Sequence, residues 1–260
     1  MDKSAFKYHL EAFLEEGQKN YLPNLSIDCV IFAYHEAKLK VLVPQFWEQE
    51  VYVLPGGFIE FDEGIDAAAI RILQDRTGLE DIFLQQFRSF GRAERAFETE
   101  FNRLLTSLGI PSEKATWMRQ RFVTIGYYAL IRLEEAHPKP GPFSQALYWA
   151  DVNELPLLAM DHAEIIQAAR QLLADDLLRQ PVAERLLPSN FTIPELQGLY
   201  ETILDRTIDR GNFRKKVLKA NILEKLDKQK PGGAHRAPQL YRFHPDRYAE
   251  SLLENVKMGF

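Results

Sequence analysis

Gly57-Phe-Ile-Glu-Phe-Asp-Glu63-Gly-Ile-Asp-Ala-Ala-Ala-Ile-Arg71-Ile72-Leu73-Gln-Asp75-Arg76-Thr-Gly78-Leu79 is the stretch on which the reading of the fold turns. It follows a β-rich run, Val51-Tyr-Val-Leu54, and a glycine turn, Pro55-Gly56-Gly57. Strand, loop and helix are therefore expected in that order. A helix entered at Glu63 sets positions 72, 75 and 76 on one face, because side chains three and four apart are neighbours. That face carries an aliphatic side chain, a short carboxylate and a permanent cation: Ile72, Asp75 and Arg76.

The spacing resembles the Nudix box, G-x5-E-x7-R-E-U-x-E-E-x-G-U, where U is a bulky aliphatic residue. Gly57, Glu63, Arg71, Leu73, Gly78 and Leu79 fall on the pattern. The resemblance implies that positions 72, 75 and 76 are those at which active Nudix enzymes hold divalent metal on glutamates. Magnesium is a hard cation that wants oxygen ligands in near-octahedral geometry. Ile72 offers no oxygen, Arg76 would repel the ion, and Asp75 is one methylene shorter than the glutamate it replaces. The expectation is a Nudix scaffold with no catalytic residues, no metal and no cofactor. The alternative is a hydrolase of residual activity on a nucleoside diphosphate derivative, its metal held by Glu63, Asp75 and Glu60.

At 260 residues, with 46% hydrophobic and 27% charged residues, the composition is that of a globular protein of one large or two modest domains. Cys29 is the single cysteine and lies in an apolar run, so a disulfide framework is excluded and a reducing cytoplasm is the expected location. Met1 to Glu16 lacks the apolar segment of a signal peptide, and no run of 18 apolar residues points to a membrane span. The net charge of −5 hides an asymmetry. Arg206 to Arg247 holds twelve Lys or Arg against four Asp or Glu, a local +8, which leaves −13 for the rest. A basic segment on an acidic body points to a polyanion-binding module.

Phe6, Leu10, Phe13 and Leu14 recur at helical spacing in an N-terminal extension, residues 1–25. Ser26–Tyr34 and Leu39–Gln45 read as strands of a hairpin turning at His35-Glu-Ala-Lys38. Ile82–Phe90 and Arg121–Leu133 read as further strands, the second apolar enough for the centre of a sheet. Residues 95–118, with Phe97, Phe101, Leu104, Leu105 and Leu108 at helical spacing, read as an inserted helix for a lid, pocket wall or dimer contact. His162, beside Asp161 at a helix start, reads as a capping residue, with a ligand or base as the alternative. The Nudix-like body is assigned to 26–185.

From Phe191 the pattern changes. Thr192-Ile-Pro-Glu195 has the form of a capping box, with apolar Ile193, Leu196, Leu199, Tyr200 and Ile203 behind it. A second helix near Asp209 turns Phe213 and Val217 inward and leaves Asn212, Arg214, Lys215, Lys216 and Lys219 free for solvent or DNA. Ile222–Asp227 and Gln239–Phe243 read as strands joined by a basic loop carrying Lys228, Lys230, His235 and Arg236. Helix, turn, basic helix and basic hairpin describe a winged helix-turn-helix over 186–260, whose second helix enters the major groove. A helical tail with a solvated lysine face is the alternative.

The two halves together resemble the Nudix-related transcriptional regulators over about residues 26–94 and 119–250. The resemblance implies an α+β protein, a Nudix α/β/α sandwich with a mixed sheet followed by a winged helix. It further implies a homodimer on a palindromic operator in double-stranded DNA, answering to ADP-ribose or to a pentose-like sugar. Val43-Pro-Gln-Phe46-Trp47 lacks the basic residue that nucleotide-binding relatives place after the second strand, which favours an uncharged sugar. Phe46 and Trp47 are candidates for stacking on that effector, with buried packing as the alternative role, and Glu63, Arg71, Asp75 and Arg76 are candidates for a polar pocket around it.

Overall fold

The structure is a computed structural model that describes residues 2–46, 50–95, 98–179, 182–229 and 238–253. Two compact units divide the chain. The first comprises Met1–Phe32, Lys40–Ala129 and Ala136–Ala169, and the second Ala33–Leu39, Leu130–Glu135 and the chain from Arg170 onwards.

The first unit opens with α1 (Lys3–Asn20), longer than its apolar spacing indicated and capped by Asp2, whose carboxylate accepts from the Ala5 N–H at 2.8 Å. β1 (Tyr21–His35) and β2 (Lys38–Phe46) form the expected hairpin. Its two turn residues, Glu36 and Ala37, both have positive φ, the backbone that a tight two-residue β-turn requires. β3 (Gly56–Glu60) leads to α2 (Ile65–Thr77), and β4 (Phe83–Phe90), α3 (Glu98–Leu108), β5 (Val123–Leu130) and β6 (Ser144–Asp151) follow. The six-stranded sheet runs β4-β5-β1-β2-β6, with β3 paired to β1. β5 thus has a strand on either side, as its apolar run predicts, and is buried from Thr124 to Leu130. α2 lies against β3 and β4, and α4 (His162–Leu177) follows β6 in the chain.

Two local expectations are corrected. Val51–Leu54 is not a strand, because its backbone N–H groups go to different neighbours: Tyr52 to Leu157 O, Val53 to Pro44 O and Leu54 to the His162 ring. Gly56 and Gly57 instead belong to β3, paired with Asp28 and Ile27. The helix also starts after Glu63, with Gly64 as N-cap, because the Glu63 carboxylate is engaged with the Glu60 N–H and with Arg71.

In the second unit, α5 (Ile193–Leu204) carries the complete capping box, with Thr192 and Glu195 each bonding the other's backbone N–H. Its predicted apolar residues are all buried. α6 (Arg210–Lys219) starts at Asp209, which accepts from the Asn212 N–H at 2.7 Å, and buries Phe213 and Val217. β7 (Leu223–Gln229) pairs antiparallel with β8 (Gln239–Phe243) as the wing. Phe191 adds a bridge through reciprocal hydrogen bonds with Tyr241. α7 (Pro245–Leu253), unforeseen from the sequence, places the buried Tyr248 ring in a stack on Phe243 with centroids 4.5 Å apart. No helix among the described residues is long and apolar enough to cross a membrane. Cys29 is fully buried, and burial pushes its thiol well above the usual range, as suits a small hydrophobic residue rather than a nucleophile.

Candidate functional site

The box helix organises a small ion-pair network. Glu63 lies in the loop before α2 and accepts from Arg71 Nε at 3.0 Å, with a second, shorter bond from Arg71 Nη2. Arg71 Nη2 also donates to Phe58 O at 2.9 Å, and Nη1 lies 3.5 Å from Asp75. The Arg71 guanidinium holds the Glu63 carboxyl below the usual carboxylate range. Glu63 therefore braces the loop. Ile72 is buried against Gly57, where a Cβ would fall 2.9 Å from its Cγ1.

Arg76 is placed differently. Its Nε donates to Gly56 O at 2.8 Å and its guanidinium sits 4.8 Å from the centroid of the Phe143 ring. It forms no ion pair among the described residues. Burial is the main influence on its pKa and pushes it down, yet an arginine in a protein keeps its charge. Arg71, Asp75 and Arg76 line one cavity of about 240 Å3, and Arg76 is shared with a second of about 170 Å3.

The second cavity is walled largely by aromatic and aliphatic side chains from segments outside the Nudix pattern. Phe6 and Leu10 come from α1, and Phe101 and Leu104 from α3, joined by Phe46 from the end of β2. The same residues form one buried cluster, so the inserted helix is a pocket wall. Trp117 fixes the arrangement. Its indole Nε1 donates to Leu14 O at 3.0 Å, and its ring fills the space where any side chain at Gly17 would sit.

A buried polar group that the sequence did not reveal also lines this cavity. Arg95 donates from Nη2 to Asp28 at 2.8 Å and from Nε to Asp161 at 2.9 Å. Its side chain is 4% exposed, so pairing is what makes its burial tolerable. His162 is not a cap, as its position indicated. Its Nδ1 accepts from the Leu54 N–H at 3.0 Å, and Nε2 lies 3.7 Å from Asp28 Oδ1 without a hydrogen-bond partner. Burial, more than any neighbouring charge, lowers its pKa and keeps the ring neutral. A carboxylate at position 28 inside a buried strand was the available signal, since such a charge demands a partner.

On the winged module, Asn212, Arg214, Lys215 and Lys219 are exposed and Lys216 is half-buried. The packing of Phe213 and Val217 turns this cationic face outward. Lys228 is described only as backbone of β7, and Lys230, His235 and Arg236 lie outside the described residues, as do Trp47 and Phe97.

Residues 183–243 match the family described as the NrtR DNA-binding winged helix domain. A relative from Acinetobacter baylyi, described as an ADPR responsive transcriptional repressor NtrR, is 30% identical over 242 residues, covering 90% of this chain and 88% of its own length. The crystal structure of Shewanella oneidensis NrtR complexed with a 27mer DNA aligns at TM-score 0.64 and 26% identity, over 86% of this chain and 95% of that one. A MutT/nudix family protein from Enterococcus faecalis shares the fold at TM-score 0.60 and 22% identity, over 93% and 97%.

Proposed function

The chain belongs to the NrtR-like family of transcriptional regulators, a Nudix fold joined to a winged helix, and from that premise we propose that it binds operator DNA and answers to ADP-ribose. The single observation that carries the DNA half is the outward face of α6, with Asn212, Arg214, Lys215 and Lys219 exposed above a buried Phe213 and Val217. Arginine and asparagine suit guanine and adenine edges in the major groove, and lysine suits phosphate. The Acinetobacter relative, an ADPR responsive repressor, supports the choice of effector.

Arg76 supports it from the chemistry. The positive charge that is missing after β2 is supplied by this guanidinium, held between two cavities with no carboxylate paired to it among the described residues. A cation on a pocket wall with no carboxylate paired to it is a reason to bind an anion, and ADP-ribose brings a pyrophosphate. Arg76 then takes the electrostatic role that metal has in a hydrolase, and the domain senses its ligand without cleaving it.

The protein acts as a homodimer on this reading, its two recognition helices meeting half-sites one or two helical turns apart. Genome-wide mapping of bound DNA, followed by anisotropy of a labelled operator, tests the proposal. ADP-ribose should lower operator affinity and remain intact in magnesium, and sedimentation should give a dimer. An affinity for operator unmoved by saturating ADP-ribose, or turnover of ADP-ribose at the ordinary enzyme rate of about 1 per second or more, would reject it.

A further inference from the structure

In the cavity walled by α1 and α3 an unsatisfied donor stands beside an available acceptor. His162 Nδ1 accepts the Leu54 N–H, so the proton of the neutral ring is on Nε2, which is buried and has no hydrogen-bond partner. Asp28 Oδ1 is 3.7 Å away. Arg95 occupies the other oxygen of that carboxylate, and Oδ1 accepts no hydrogen bond among the described residues. A buried donor left unpaired on a cavity wall calls for an explanation, and a bound molecule is one. The remaining lining is mostly aromatic and aliphatic, apart from Ser26, Ser144 and Arg76.

We propose that this cavity takes the base of the effector, and that His162 Nε2–H and Asp28 Oδ1 read the amino edge of a 6-aminopurine. The imidazole N–H donates to the unprotonated ring nitrogen, and the carboxylate accepts from the neighbouring amine. The assignment rests on the effector being a nucleotide-sugar, as proposed above.

Three features carry it. A planar neutral ring matches walls supplied by Phe6, Phe46 and Phe101, on which bases stack. A pentose would instead bring hydroxyls on all sides, each needing a polar partner that these walls do not provide. The order of donor and acceptor also discriminates. A 6-oxopurine presents oxygen and N–H where adenine presents N–H and nitrogen, so it would set acceptor against carboxylate and donor against donor. Finally, Arg76 lines both this cavity and the more polar one beside it, so a phosphate attached to the base has its cation at hand. Asp28 on β1 and His162 on α4 lie outside residues 57–79, as do the walls from α1 and α3, which places base selectivity outside the Nudix pattern.

Calorimetric titration of the full-length protein with ADP-ribose, its hypoxanthine analogue and ribose 5-phosphate tests the assignment. The hypoxanthine analogue should bind about tenfold or more weakly than ADP-ribose, the usual consequence of setting mismatched polar groups together. Ribose 5-phosphate, which has no base, should bind more weakly still. Asp28→Asn places an amide N–H2 where Oδ1 accepts, while Arg95 keeps Asp161, and should narrow or reverse the preference between the two bases. Equal affinity for both analogues in the unaltered protein overturns the proposal, whether or not the variant folds. An unchanged ratio in a folded Asp28→Asn protein overturns it too. Failure of ADP-ribose to bind at all is a separate result, which removes the effector reading itself.

Discussion

Arg76 donates from Nε to the carbonyl oxygen of Gly56 at 2.8 Å, tying the last turn of the box helix to the first residue of the strand that precedes it. The guanidinium is further held over the Phe143 ring. A position that the Nudix pattern gives to a metal-binding carboxylate is thus taken by a fixed cation. A permanent positive charge therefore stands at that position without any ion.

Arg76→Ala should weaken ADP-ribose binding by about ten- to a hundredfold, the range for losing a hydrogen bond to a charged group. Arg76→Lys should recover part of the loss, because the charge returns without the planar fork. Calorimetry reads both, and an affinity unchanged by Arg76→Ala would show that the phosphates lie elsewhere.

Stability in acid should depend on Glu63. Its carboxyl is depressed in the folded protein, chiefly by hydrogen bonding from Arg71. A depressed acid contributes stability above its unfolded pKa, about 4.3, and loses that contribution as pH falls through the lower folded value. Urea titrations from neutral pH downwards should show Glu63→Gln less stable near pH 7 and flatter in the acid limb. Parallel curves for the two proteins would contradict the assignment.

Thr192→Ala should cost about 1 kcal/mol, the typical loss for an N-cap hydroxyl. Thr192 Oγ1 accepts from the Glu195 N–H and donates to the Glu195 carboxylate at 2.9 Å, so both halves of the box are disturbed. Thr192→Ser should restore most of the loss in denaturant unfolding followed by circular dichroism.

Arg214→Ala should cost operator binding about 1–3 kcal/mol and relax preference at one base position, whereas Lys219→Ala should weaken all sequences alike. With six to eight phosphate contacts per dimer, log affinity should fall with log salt at a slope of about −5 to −7, and Lys219→Ala should flatten it by about one unit. Operator affinity unaltered in a protein lacking Arg214, Lys215 and Lys216 together would remove this helix from the interface.

The winged module was the more legible half. Its signals are local: Thr192 and Glu195 cap one helix, Asp209 caps the next, and Phe213 and Val217 sit one turn apart on the same face. Each follows from hydrogen bonds or periodicity within a few residues. α7 escaped notice because its burial depends on Tyr248 finding Phe243, a contact no local pattern announces. The body was legible in its frame, since Gly57, Arg71, Leu73 and Gly78 mark the box by spacing alone.

What sequence alone determined was the family frame, the burial faces of α3, α5 and α6, and the misfit of Ile72 and Arg76 with a hard cation. These depend on residue identity and short-range geometry. Only the tertiary structure decided that Glu63 is spent on Arg71, that His162 bonds Leu54 rather than capping its helix, and that Asp28 meets Arg95 across 67 positions. Those partners are chosen by packing. A buried charge or ring nitrogen must be satisfied somewhere, but the sequence states only the need, and the fold brings the partner to it.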